Sequence, residues 1–189
     1  MNKHMQTKLP IDAVLAVTYN CNSRCVMCDI WQMKPHEELQ PEDFLKLPKT
    51  LKYVNISGGE PFLHPKIVEI VRNVRKACPK AQIIFSSNGF AAELIRVRIR
   101  EILKFDPTVG VGISFDGVGE MHETIRGIPN AFEKSIKTIE MLKEEGVKNI
   151  RIAFTVATVN VEHLKLTYDL SRKLGVQFTC AYAQSSDFY

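Results

Sequence analysis

Several features of a membrane, secreted or nucleic-acid-binding protein are missing from this sequence. No apolar run approaches the length that spans a bilayer, and the opening MNKHMQTKLP lacks the apolar stretch of a secretory signal. A cytoplasmic protein is expected, in a compartment where thiols stay reduced. No long run of like charge occurs. The 25 Lys and Arg are interspersed with 21 Asp and Glu for a net charge of +4, which argues neither for nucleic acid nor for an anionic membrane. No linker rich in Pro, Gly or Ser divides the chain. Its 189 residues, 45% of them hydrophobic, suit one folded domain with a sizeable core. Cysteine is scarce at five residues. There is no second C-x2-C pair and no paired-histidine motif, so the usual two-pair zinc framework is excluded.

What is present is a regular alternation. Six short β-type runs are AVLAVT (13–18), KYVNIS (52–57), QIIFS (82–86), GVGISF (110–115), IRIAFTV (150–156) and VQFTCAY (176–182). Between them lie helical patterns: Ile67, Ile70, Val71 and Val74, then Ile95, Ile99 and Ile102, then Phe132, Ile136 and Ile139, then Leu166, Leu170 and Leu174. Asn130 stands at a helix start with Glu133 three residues on, and Gly146 and Gly175 can close two helices. Pro41 can open a short helix after the first strand. Strands alternating with helices predict βαβ units and a parallel sheet in one α/β domain. Periodicity leaves a curled, barrel-like sheet and an open doubly wound sheet both allowed.

Polar residues follow each strand: three cysteines, then Gly58, Gly59 and Glu60, then Ser87 and Asn88, then Ser114 and Asp116, then Thr155 and Thr158, then Gln184 and Ser185. Parallel α/β folds bind ligands at the carboxyl ends of their strands, so these groups are expected to meet on one face. Taken singly, SSNG and FDGVG are turn chemistry. GGEP says more, because two glycines permit close backbone approach beside a carboxylate.

The stretch YNCNSRCVMCDIW places Cys21, Cys25 and Cys28 in a C-x3-C-x2-C array. A structural zinc site wants four ligands, and His36 offers a fourth at a spacing that fits no zinc pattern. A ferredoxin-type cube also takes four thiolates. Cys78 falls in a helical pattern and Cys180 in a strand, and both read as core thiols. Three thiolates on a [4Fe–4S] cube would leave one iron open, and an open position is what separates catalytic from structural metal sites.

C-x3-C-x2-C after the first strand, GGEP after the second and SFDG…HETIRG after the fourth resemble the radical S-adenosylmethionine (SAM) superfamily over essentially the whole chain, 1–189. The nearest branch by pattern is the one with molybdenum-cofactor, peptide-modifying and sulfatase-maturing enzymes. The resemblance implies a partial (β/α)6 barrel whose last helix is missing from this chain, as in a fragment or a minimal form. It implies a [4Fe–4S] cluster on Cys21, Cys25 and Cys28, with the open iron chelated by SAM. Gly58, Gly59 and Glu60 would receive the SAM ammonium, Ser114 and Arg126 would contact its ribose and carboxylate, and Asn88 would lie nearby. Met27 stands where relatives carry an aromatic residue beside the adenine. Val26, Ile30 and Trp31 can wall the cluster.

The reaction so implied is reductive cleavage of SAM to methionine and a 5′-deoxyadenosyl radical that takes hydrogen from a substrate. The partners implied are an external one-electron donor such as a flavodoxin or ferredoxin, and a peptide or small-molecule substrate. Two alternatives stand beside it: a non-catalytic iron–sulfur or zinc protein, and an inactive truncated barrel. Asp116, His122 and Glu123 are open to substrate or structural roles, with structure preferred for His122.

Overall fold

The computed structural model describes residues 9–33 and 38–183. His36, Gln184 and Ser185 lie outside that range. Six strands form one sheet in the order β1-β2-β3-β4-β5-β6, and every neighbouring pair is parallel. They are β1 (Asp12–Thr18), β2 (Tyr53–Gly58), β3 (Gln82–Ser87), β4 (Gly110–Ser114), β5 (Asn149–Val156) and β6 (Gln177–Tyr182). The helices are α1 (Ile67–Ala77), α2 (Ala92–Leu103), α3 (Glu120–Arg126), α4 (Ala131–Glu144) and α5 (His163–Lys173). Strands laid down in sequence order with right-handed crossovers put all the helices on one face. The sheet is therefore a partial barrel, and the doubly wound alternative is removed.

The core lies between sheet and helices. Ile56, Ile83, Phe85, Val111, Ile113 and Ile152 meet Ile67, Ile70, Val71, Ile95, Ile99, Ile102, Ile139 and Leu142. The opposite face is a lumen that stays open, with Val14 on β1 69% exposed. Strands β2 and β5 alternate accordingly, with Val54 and Ile56, and Ile150, Ile152 and Phe154, buried between less buried neighbours.

Pro41 does open a short helix, of the 3-10 type, over Pro41–Lys46. Several local expectations are corrected. Asn130 stands at the start of α4 but makes no side-chain cap; it adopts a left-handed conformation with φ 56°. Leu166 is exposed, because α5 turns Thr167 and Ser171 inward and packs Leu170 and Leu174 at the core's edge. Cys78 is buried as expected, whereas Cys180 is exposed, since it lies on the last strand among the described residues. Gly146 and Gly175 do end helices, with φ 83° and 63°.

Candidate active site

A cavity of about 440 Å³ opens at the carboxyl ends of the strands. Cys21, Cys25 and Cys28 line it from the loop after β1, with Gly58 and Gly59 from β2 and Ser87 and Asn88 from β3. Ser114 joins from β4, Arg126 from α3 and Thr155 from β5. Met27, Ile30 and Trp31 supply an apolar wall, while Val26 is 67% exposed and stands outside it. Thr158 is exposed and does not reach the cavity.

The cysteine loop is shaped by a segment distant in sequence. The N–H groups of Arg24 and Val26 donate to the carbonyls of Arg126 and Ile125, both at 2.9 Å. Ser23 Oγ donates to the Arg126 carbonyl at 3.0 Å and lies 3.0 Å from Cys25 Sγ. Gly127, with φ 63°, ends α3; a Cβ there would sit 2.4 Å from the Arg24 carbonyl oxygen. The glycine of HETIRG is thus required by the approach of two backbones. Ser23 was invisible to sequence reasoning, because its partner lies 103 positions away.

GGEP works in the same way. A Cβ on Gly58 or Gly59 would come within 2.3 Å of the Thr18 or Asn20 carbonyl oxygen. The N–H groups of Gly59 and Glu60 donate to those same carbonyls at 2.8 Å. So the motif clamps the root of the cysteine loop while its glycines face the cavity.

Glu60 differs from the expected direct ligand contact. It is fully buried and does not line the cavity. Its carboxylate accepts from Asn88 N at 2.7 Å, from Phe62 N at 3.2 Å and from Ser87 Oγ at 3.0 Å. It ties the end of β2 to the end of β3. Asn88 is held from both sides, since its Nδ2 donates to Asn22 Oδ1 at 2.7 Å and its carbonyl accepts from Ser135 Oγ of α4 at 3.2 Å.

Burial pushes the Glu60 carboxyl up to about 7, against the opposing pull of the Asn88 and Phe62 N–H groups. The folded state therefore holds its proton more tightly than the unfolded chain. The contribution to stability is complete below about pH 4.5 and is lost as pH rises to about 7, where the loss levels off. That loss is of order 3 kcal/mol, taking about 1.4 kcal/mol per pH unit. Glu60→Gln, which cannot ionise, is expected to flatten this part of the stability profile. Urea midpoints for both proteins at pH 4.5, 6 and 8 read it out, and parallel profiles would show that Glu60 does not titrate in this window.

Arg126 is buried and lines the cavity. Its Nη2 pairs with Asp116 Oδ2 at 2.5 Å, and its Nη1 donates to Cys25 Sγ at 3.5 Å. Burial works against its charge, but Asp116 and Cys25 outweigh that and keep the guanidinium charged. Asp116 is fully buried, and its Oδ1 accepts from Thr155 N at 2.8 Å. It is a partner of Arg126 and no part of the cavity wall. His122 is buried, stacked on Phe115 at 5.0 Å, and accepts from Asp116 N at 3.1 Å. Burial, with Arg126 nearby, pushes it down to about 3, so it is neutral.

The donor set fits an iron–sulfur cube. The three thiols share one cavity wall. Yet among the described residues no three Cys, His, Asp or Glu side chains are close enough to hold one metal ion. A cube presents its irons at separate corners, so its thiolates need not converge. Burial pushes the Cys21 thiol up, with Glu60, Cys25 and Cys28 adding to this against a hydrogen bond from Ser23 N. A bound cation is what would offset that penalty.

A six-stranded partial barrel with this cysteine loop at its mouth defines a class of SAM-dependent iron–sulfur enzymes. The chain belongs to the Radical SAM superfamily, whose sequence pattern matches residues 15–170. It is 30% identical over 176 residues to the antilisterial bacteriocin subtilosin biosynthesis protein AlbA of Bacillus subtilis, covering 88% of this chain and 37% of that one. It is 28% identical over 185 residues to Fe-coproporphyrin III synthase of Methanosarcina barkeri, covering 93% and 44%. Its fold matches Streptococcus suis SuiB bound to S-adenosylmethionine with a TM-score of 0.79, at 19% identity, over 96% of this chain and 42% of that one. The chain therefore spans less than half the length of these relatives. No helix among the described residues is long and apolar enough to cross a membrane.

Proposed function

We propose that Cys21, Cys25 and Cys28 carry a [4Fe–4S] cluster and that SAM binds beside it in the same cavity. The observation that carries this reading is the meeting of three thiols, Ser114 and Arg126 around one cavity. When bound, the reduced cluster and SAM supply a 5′-deoxyadenosyl radical that abstracts hydrogen from the substrate. The protein's own residues do the rest. The carbonyls of Gly58 and Gly59 receive the SAM ammonium. Ser114 meets the ribose, and Arg126 meets the carboxylate with the planar, multi-donor geometry that guanidinium provides. Asp116 keeps Arg126 charged and oriented. Glu60 acts at one remove, by fixing the GGEP turn and Asn88. Met27, Ile30 and Trp31 exclude water from the cluster side.

An external one-electron donor such as a flavodoxin or ferredoxin supplies the electron. The names of AlbA and Fe-coproporphyrin III synthase connect two relatives to different products, and a peptide or a small molecule are both compatible with the open lumen. The fold and the clamped loop argue against a non-catalytic metal protein, since a closed metal site needs neither Ser114 nor Arg126.

Protein reconstituted without air is expected to form 5′-deoxyadenosine when given dithionite and SAM. Arg126→Lys should load iron normally but bind SAM about 10- to 100-fold more weakly, the scale for losing a charged hydrogen bond. No 5′-deoxyadenosine from the loaded protein would overturn the function. Unchanged SAM affinity in Arg126→Lys would remove Arg126 from the site.

A further inference from the structure

Toward the amino ends of the strands, a second cavity of about 240 Å³ lies below the one lined by the cysteines. Only Asp12 and Arg151 among its lining residues are charged. Asp12 is exposed at the start of the edge strand β1, and no ion pair joins it to Arg151. The guanidinium donates from Nη2 to Asn149 Oδ1 at 3.1 Å, while its Nε is buried without any partner. No described carboxylate balances its charge. Desolvation alone depresses its pKa, as expected for an unpaired cation partly removed from water.

The surroundings make room for this residue. A Cβ on Gly112 of β4 would lie 3.3 Å from Arg151 Cγ, and one on Gly110 would lie 2.8 Å from Asn149 Nδ2. The two glycines of GVG thus leave the space that the Arg151 stem and its Asn149 partner fill. Asn55 lines the same cavity; its Oδ1 accepts from Ser86 Oγ at 2.9 Å, which leaves its amide N–H groups to donate elsewhere. One unpaired guanidinium with a neutral donor lining the same cavity suits a planar monoanion. A phosphate dianion would carry a charge that a single arginine leaves uncompensated.

We propose that Arg151 anchors a carboxylate of the substrate in the lumen beneath the SAM cavity, and so selects for substrates bearing one. This rests on the radical SAM reading for the identity of the reaction but not for the binding itself. The geometry also sets a length. Ala153 is level with Ser114, and Arg151 is level with Gly112, so Arg151 lies two residues, about 7 Å, deeper than the Ser114 level at 3.3 Å per residue. Ser86 lines both cavities, so the two adjoin. A substrate held by its carboxylate at Arg151 therefore presents to SAM a carbon about 7 Å or more from that carboxylate.

The test uses protein labelled with 15N-arginine, with neither reductant nor SAM, so the failure of radical chemistry and the failure of this site are separable. A buried Nε–H exchanges slowly, and the Arg151 signal is assigned by its absence in Arg151→Lys. At constant ionic strength, sodium acetate is expected to shift that signal saturably, while acetamide leaves it in place. No response to acetate overturns the proposal, and so does a carboxylate of the protein's own chain already filling the site, which gives that same result. A larger response to inorganic phosphate than to acetate overturns the carboxylate assignment. Melting temperature provides the second readout. Arg151→Met should melt no lower than wild type, because an unpaired cation leaves the lumen, and should lose the stabilisation that acetate gives the wild type. A lower melting temperature together with no acetate effect in the wild type would make Arg151 a structural residue and overturn the assignment.

Discussion

Asp116→Asn is expected to destabilise the protein by about 3–5 kcal/mol, the range for breaking one side of a buried ion pair. The carboxylate is fully buried, 2.5 Å from Arg126 Nη2 and 2.8 Å from Thr155 N. The Asp116 backbone joins the same knot, its N–H donating to His122 Nδ1 and its carbonyl accepting from Asn160 Nδ2, both at 3.1 Å. One residue thus links the ends of β4 and β5 to α3. Without its charge, the Arg126 guanidinium stays buried with no carboxylate, and its Nε already has no partner. Replacing both residues, as in Asp116→Asn with Arg126→Met, should recover much of the loss, because no uncompensated charge is then left buried. Urea unfolding of the single and double variants decides the matter. Wild-type stability in Asp116→Asn would show that the pair contributes nothing net.

Changing any of Cys21, Cys25 or Cys28 to Ala is expected to take iron from about four per chain to near none, as a cube with only three protein thiolates has none to spare. Cys78→Ala and Cys180→Ala should keep the full complement. The two controls differ in kind. Cys78 is buried in the core, so its loss costs packing, whereas Cys180 is exposed and its loss should be silent. Cys25→Ala should also disturb its surroundings, since Ser23 Oγ and Arg126 Nη1 both contact its sulfur. Iron analysis and the visible absorption of anaerobically reconstituted variants report the outcome. A full cluster retained after any one of the three changes would remove that cysteine from the ligand set.

Much of the architecture was legible because it rests on short-range patterns. The six strands and four of the helices declare themselves through apolar spacing, and the parallel arrangement follows from their alternation. The missed helix, α3, covers only EMHETIR, too short for a period to show. Strand order is a tertiary property and needed the structure. At the site, the cysteine spacing and GGEP could be recognised, but the reason for the glycines could not. Gly58, Gly59 and Gly127 are explained by carbonyl oxygens of Thr18, Asn20 and Arg24, which are distant along the chain for all but close in space. The seclusion of Glu60 between two strand ends and the pairing of Asp116, after β4, with Arg126 of α3 are likewise tertiary contacts, which no local pattern encodes.

The hydrogen bonds from Arg24 and Val26 to Arg126 and Ile125 also carry a topological cost. They close a loop of roughly one hundred residues, and closing long loops carries an entropic cost that must be met before such contacts reward it. Neither the cysteine segment nor the α3 segment can adopt its final path alone. The strands β2, β3 and β4 all lie in the chain between the two segments so joined. A zinc finger is held together chiefly by its metal; here backbone hydrogen bonds from the α3 segment also hold the cysteine loop.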